Sequence, residues 1–179
     1  MRKGETMVHI QVDEQVELRS LQPSDAEELF ALTDDNRAYL KQWLPWLDFT
    51  LEVADSLKFI EQTMKQEELK NGFQTGIFYE GRLVGVIALH GINRANESTS
   101  IGYWLAEDAG GKGIMTKATE SVVTYIFEEL KLNRVEIKAA TGNVRSKAIP
   151  ERLGFVHEGT LRQAEWLYDH YVNHELYSM

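Results

Sequence analysis

The tetrad Gly110-Gly111-Lys112-Gly113 is the feature of this sequence best suited to grip an anion. It separates a strand-like run from a helix-like run. At such a junction the first N–H groups of the helix have no helical acceptor, and the helix dipole adds partial positive charge. Glycines let the backbone approach a ligand closely, so a phosphate is the expected occupant, with Lys112 adding charge. A glycine turn that merely links strand to helix would look the same. Two common phosphate motifs are excluded. The nucleoside-triphosphate loop would need Gly where Ala106 stands and Ser or Thr where Gly113 stands. The dinucleotide fingerprint would need Gly in place of Thr116.

Other residue types are ambiguous taken singly. Asn143 and Ser146 are both favoured helix N-caps. Glu165 falls near the end of a strand, where a solvated carboxylate is ordinary. His170 and His174 have the spacing of helical metal ligands, but in a strand that spacing separates them by about 13 Å, so no metal is expected. His90 and His157 read as structural or surface residues. The chain has no Cys, which removes disulfides, Cys-based zinc sites and a thiol nucleophile.

Composition narrows the setting. The chain has 179 residues, 43% hydrophobic and 26% charged, with 19 Lys and Arg against 28 Asp and Glu, a net charge of −9. One domain spanning 1–179 is expected, large enough for a core of its own. Surplus acid argues against direct nucleic-acid binding, which needs cations to displace phosphate counterions. It suits a cationic partner, or simply keeps the protein soluble. The longest apolar run, Leu83 to Leu89, is far short of the roughly 20 residues of a membrane span. The stretch Met1 to Met7 lacks the apolar core of a signal peptide, so a soluble cytoplasmic protein is expected.

The elements that would position these residues follow from periodicity. Alternation over Ile10–Leu21 around Asp13-Glu14-Gln15 predicts a short strand pair. Ser24 and Glu27 match a capping box after Pro23, with Leu29 and Phe30 facing the core. Tyr39–Phe49 is aromatic and interrupted by Pro45, a broken helix. Val53, Leu57, Ile60 and Met64 step at helical period, with Gly72 placed to stop the helix. Glu80-Gly81 joins strands 74–79 and 82–90 in a tight hairpin. Strand 99–106, helix 114–130 and strand 135–140 form a central βαβ unit. Ser146–Leu153 is a short helix stopped by Gly154; a start at Asn143 would bury Pro150 in its interior. Two strands, 155–165 and 171–178, close the chain. The class is α+β with a mixed sheet.

The ordered blocks Tyr103-Trp104-Leu105-Ala106, Gly111-Lys112-Gly113-Ile114-Met115-Thr116, Asn133-Arg134-Val135, Asn143-Val144-Arg145-Ser146 and Glu151-Arg152-Leu153-Gly154-Phe155 resemble the GNAT superfamily of acyl-CoA-dependent N-acyltransferases. Leu161-Arg162-Gln163-Ala164-Glu165-Trp166 further resembles the RimJ/RimL-like branch of ribosomal-protein N-terminal acetyltransferases. The resemblance spans 20–178 and is strongest from Ile101 to Phe155. It implies a mixed sheet of six or seven strands flanked by helices. The central parallel strands splay into a V, in which pantetheine pairs like an extra strand. Trp104 and Leu105 would offer backbone groups to pantetheine, and the amides of Gly111, Lys112, Gly113, Ile114, Met115 and Thr116 would hold the pyrophosphate. Asn143 and Ser146 would complete the acetyl-CoA site. The sequence departs from the pattern at Asp108, where the family usually has Gln or Arg, so backbone amides and Lys112 must suffice.

The same resemblance assigns Ser146 to protonating the leaving CoA thiolate and Glu165 to general base. Both roles make chemical sense. The departing thiol has a pKa near 8.5, and an α-amino acceptor, with pKa about 7.7–8.0, needs less help to become neutral than a lysine at about 10.4. Tyr39, Trp43, Trp46 and Phe49 would wall an acceptor cleft by resemblance, whereas residue type alone puts them in the core. The implied enzyme moves acetyl from acetyl-CoA, without metal, to a primary amine such as a ribosomal protein N-terminus. A small cationic amine acceptor (polyamine, amino acid or aminoglycoside) and a non-catalytic acyl-CoA-binding module remain open on sequence. Members of the branch often form homodimers, and no residue pattern here compels one.

Overall fold

The computed structural model describes residues 7–179; the stretch Met1 to Thr6, part of the segment read above for a leader, lies outside them. Strand β1 (His9–Gln11) turns back into β2 (Val16–Ser20) through Asp13, whose carboxylate accepts from the N–H groups of Gln15 and Val16, both at 2.9 Å. Helices α1 (Ala26–Asp35), α2 (Arg37–Leu40) and α3 (Val53–Glu68) follow. Then come β3 (Phe73–Tyr79), β4 (Arg82–Leu89), β5 (Ser98–Leu105), α4 (Ile114–Glu128), β6 (Arg134–Ala140), α5 (Val144–Arg152), β7 (Val156–Leu167) and β8 (His170–Ser178). The eight strands form one sheet in the order β1-β2-β3-β4-β5-β6-β8-β7. The family resemblance implied six or seven strands; the strand pair predicted over Ile10–Leu21 is present as β1 and β2.

Helix boundaries show where tertiary contacts override local signals. The expected Ser24–Glu27 capping box is replaced by one built from Gln22 and Asp25 around a 3-10 turn. Arg19 grips Asp25 through both guanidinium nitrogens at 2.8 and 3.0 Å, which draws that carboxylate inward and holds it below its usual pKa. Leu29 is buried, but Phe30 is only half-buried. Gly72 does not stop α3. The helix ends at Glu68, Lys70 takes the left-handed conformation, and Gly72 instead packs under the Leu89 carbonyl. The Glu80-Gly81 hairpin forms as expected, with both residues at positive φ, as a type I′ turn requires.

The sheet is covered on both faces. Leu18, Ile77, Ile87, Ile101 and Ile137 pack with Ala118, Val122 and Ile126 of α4. Leu21, Phe78, Leu83 and Val86 pack with Leu29 and Ile60 of α1 and α3. No helix of the described residues is long and apolar enough to cross a membrane.

The feature that makes a site lies at the sheet's centre. β5 and β6 are the parallel pair, and they pair only over Ser98–Ile101 against Arg134–Ile137. Beyond that seam β5 stays on β4, with Gly102–Leu105 opposite Ala88–Gly85. β6 stays on β8, with Lys138–Ala140 opposite Leu176–His174. The two strands therefore part, and one edge of each faces a gap.

Candidate active site

Two cavities meet at this gap. One, of about 820 Å³, lies on the α4–α5 side and is lined by Tyr103, Trp104, Leu105, Gly111, Gly113 and Ser146 among others. The other, of about 540 Å³, opens toward α1, α3 and the β7–β8 hairpin, and its lining includes Trp46, Phe49, His90, Glu165 and His174. Tyr103, Trp104, Asn143 and Ser146 line both. A molecule in either cavity can thus touch one in the other at this junction.

The glycine turn opens on the larger cavity. Gly111 and Gly113 have φ of 78° and 75°, so the chain reverses in a conformation that favours glycine. The first helical bond of α4 runs from the Lys117 N–H to the Gly113 carbonyl, and no side chain caps the helix. The N–H groups of Ile114, Met115 and Thr116 precede that bond. The side chains of Ile114 and Met115 are buried in the core, so their amides are what they offer the cavity. These unpaired amides stand where the sequence reading expected an anion to be held, at the mouth of the larger cavity.

The charges around the cradle are not those expected. Lys112 is exposed, does not line the cavity, and places its ammonium 5.3 Å from the Tyr79 ring centre. Asp108 is drawn away by Arg82 at 2.9 Å, which holds its carboxyl below the usual range. Cations come instead from α5. The Arg145 guanidinium lies beside Gly110, and Arg152 donates to the Thr116 hydroxyl at 2.8 Å. Arg145 and Arg152 stand seven apart, two helical turns, and share one face of α5. That spacing was readable in the sequence and was missed.

Helix α5 also sets Ser146. The helix begins at Val144, with the Asn143 side chain accepting from the Ser146 N–H at 3.1 Å, so Asn143 alone is the cap. Pro150 does lie inside the helix. A proline there has no N–H for the carbonyl four residues back, which is that of Ser146. The Tyr103 hydroxyl donates to that carbonyl instead, at 3.0 Å, and burial pushes its pKa up so that it stays a donor. Proline and tyrosine together pin α5 against β5. Both bonds use the backbone of Ser146, and its hydroxyl takes no part in either.

This arrangement separates two roles. Asn143→Ala should cost about 1 kcal/mol of stability through the lost cap, seen as a lower denaturation midpoint. If the Ser146 hydroxyl protonates the leaving thiolate, as the family resemblance implies, Ser146→Ala should leave that midpoint unchanged and reduce turnover about a hundredfold, seen in steady-state thiol release. Equal turnover in Ser146→Ala would remove the acid role.

The aromatic segment lines cavities rather than filling the core. Tyr39, Trp43 and Trp46 are half-buried and Phe49 is 79% exposed. The broken helix is real: α2 ends at Leu40, and a 3-10 turn follows Pro45 at Leu47–Phe49. Trp46 packs on Trp104 with ring centres 6.0 Å apart. From the other side the Tyr168 hydroxyl donates to the Leu44 carbonyl. The β7–β8 turn and the aromatic segment thereby clasp the smaller cavity.

Glu165 and His174 face each other in that cavity, with His174 Nε2 and Glu165 Oε2 at 3.3 Å. His170 is exposed and pairs with Asp169 instead. His90, expected to be a structural or surface residue, lines the same cavity; desolvation first and Lys138 second lower its pKa, which favours its neutral form. His157, read as structural or surface, is exposed and meets the buried Glu175 at 2.6 Å, outside the lining of either cavity.

The sequence matches the family model for the acetyltransferase (GNAT) domain over residues 15–156. The chain belongs to the GNAT acetyltransferase family. It is 41% identical over 175 residues to the putative ribosomal N-acetyltransferase YdaF of Bacillus subtilis, covering 95% of this chain and 92% of that one. Among solved structures it resembles the microcin C7 self-immunity acetyltransferase MccE in complex with acetyl-CoA and AMP. The TM-score is 0.91 at 31% identity, covering 95% of this chain and 94% of that one. It also resembles RimL, a ribosomal L7/L12 alpha-N-protein acetyltransferase in complex with coenzyme A. There the TM-score is 0.92 at 28% identity, covering 96% of this chain and 97% of that one. The GNAT chain described here is an acetyl-CoA-dependent N-acetyltransferase with a RimL-like fold.

Proposed function

We propose that this GNAT enzyme acetylates the N-terminal amine of a protein, most simply a ribosomal protein, by direct attack on acetyl-CoA. The observation that carries this reading is the meeting of two cavities at Tyr103, Trp104, Asn143 and Ser146, with the glycine cradle at one end and Glu165 at the other. The cradle amides, with Arg145 and Arg152, take the pyrophosphate. The open edge of β5 at Trp104 and Leu105 takes the pantetheine amides, which delivers the thioester to the junction. The acceptor amine enters from the smaller cavity and attacks the thioester carbonyl. Its proton passes to Glu165, directly or through one water. The C–S bond breaks, and the Ser146 hydroxyl stabilises and protonates the leaving thiolate, recovering a proton from solvent, to which Glu165 releases the one it took.

The names of YdaF and RimL support a ribosomal acceptor. The likeness to MccE, solved with AMP, supports a second reading in which the acceptor is a small amine. Release of coenzyme A can be followed over a panel of Ser- and Ala-initial peptides, their N-blocked versions, spermidine and free amino acids. Turnover of the free but not the blocked peptides is the expected result. Preference for small amines would replace this reading with the second.

A further inference from the structure

Resting on the assignment of Glu165 as base, we propose that His174 and Asn173 form a built-in positioning device for that carboxylate. It rests on a break in strand register. Along β7 and β8, Leu161 lies opposite His174, yet Glu165 lies opposite Val172. Residues 162–164 thus bulge out against Asn173 alone. In an unbroken ladder Glu165 would face His170. The bulge advances it by two residues, or about 7 Å along the strand. Glu165 then shares a face with Val172 and His174 and sits diagonal to His174, within side-chain reach.

The bulge is held, not loose. Gln163 adopts φ of 50°, a conformation that costs energy for a residue with a side chain. Its N–H is caught by the Asn173 side-chain oxygen at 2.8 Å. The Asn173 carbonyl in turn accepts from the Thr141 N–H at 3.0 Å, just past the end of β6. The device is therefore anchored to the arm of the sheet that parts from β5.

His174 completes it. An ionised carboxylate has acceptors only, so the 3.3 Å contact requires His174 to donate its Nε2–H to Glu165. The other charged or titratable groups lining the cavity are His90 just past the end of β4, Tyr103 on β5 and Lys138 on β6. The only hydrogen bond joining any two of these five side chains is that between His174 and Glu165. Of the two closing histidines, one faces the base and the other faces solvent, which the spacing of His170 and His174 could not distinguish.

The test is a double-mutant cycle. The readout is acetyl transfer from acetyl-CoA to the best acceptor of the panel above, with thermal midpoints confirming that each variant folds. His174→Ala should lower kcat about tenfold to a hundredfold with the KM for acetyl-CoA unchanged. His174→Gln, whose amide can still donate, should restore most of it. In a Glu165→Gln background, His174→Ala should add little further loss. Asn173→Ala should mimic His174→Ala, and Asn173→Asp, which still accepts from Gln163, should not. Wild-type kcat in His174→Ala with a large loss in Glu165→Gln would overturn this device and leave the base standing. Independent, multiplying losses in the double variant would overturn it too. Full activity in Glu165→Gln would overturn the base and this proposal together.

Discussion

Replacing Glu165 by Gln should lower turnover by about a hundredfold or more, while coenzyme A binds as before. The size follows from general base catalysis, which typically contributes between about 10² and 10⁴. The unchanged binding follows from place: Glu165 lines the smaller cavity and is absent from the one lined by Gly111 and Gly113. The pH dependence has a sign. An α-amino acceptor is mostly protonated below its pKa of about 7.7–8.0, so the carboxylate matters most there. The deficit of Glu165→Gln should therefore shrink as pH rises through 8, where free amine is supplied by solution. Steady-state rates from pH 6 to 9, with a calorimetric coenzyme A titration, check both parts. Wild-type turnover across that range would place the base elsewhere.

Gly113→Val should raise the KM for acetyl-CoA about tenfold or more with little change in kcat at saturation. No heavy atom lies within 4 Å of where a Cβ would stand, so crowding is not the cause. The cause is φ of 75°, where a side chain costs about 1–2 kcal/mol and a β-branched one more. Relief of that strain turns the Ile114, Met115 and Thr116 amides away from a common focus. The thermal midpoint should fall by roughly 2–8 °C. Gly113→Asn supplies the control, because Asn tolerates the left-handed region and should lose much less on both readouts. Equal KM in the Val variant would show that the cradle amides do not bind the cofactor's phosphates.

These two residues illustrate what the sequence could and could not disclose. Gly113 was legible because a glycine between a strand and an amphipathic helix has a local physical meaning. The hairpin at Glu80-Gly81 and helix α4 were legible for the same reason. Glu165 was singled out only through family resemblance, since its place depends on a bulge held by Asn173 from the next strand. No local pattern announces that, because Gln163 rather than a glycine takes the positive φ. His174 was set aside with the metal hypothesis, and its partnership with Glu165 arises only across strands. Lys112 was credited with the cradle's charge because it is adjacent in sequence. In the structure Arg145 and Arg152 on α5 line the larger cavity beside the glycine turn and Lys112 does not, and they arrive only after a strand and a turn. The parting of β5 and β6 was likewise invisible locally, because it is a property of where pairing stops.

That short seam has a mechanical consequence. Only four residue pairs join the β1–β5 wing to the β6–β8 wing through the sheet. A pantetheine lodged in the cleft would act as a splint between them, donating and accepting where the protein's own ladder is interrupted. Ligand that binds only the native fold stabilises it by mass action, by about 2.7 kcal/mol at a hundred times Kd. Stiffness of the whole molecule would then be on loan from its substrate, highest when loaded and relaxing once coenzyme A departs.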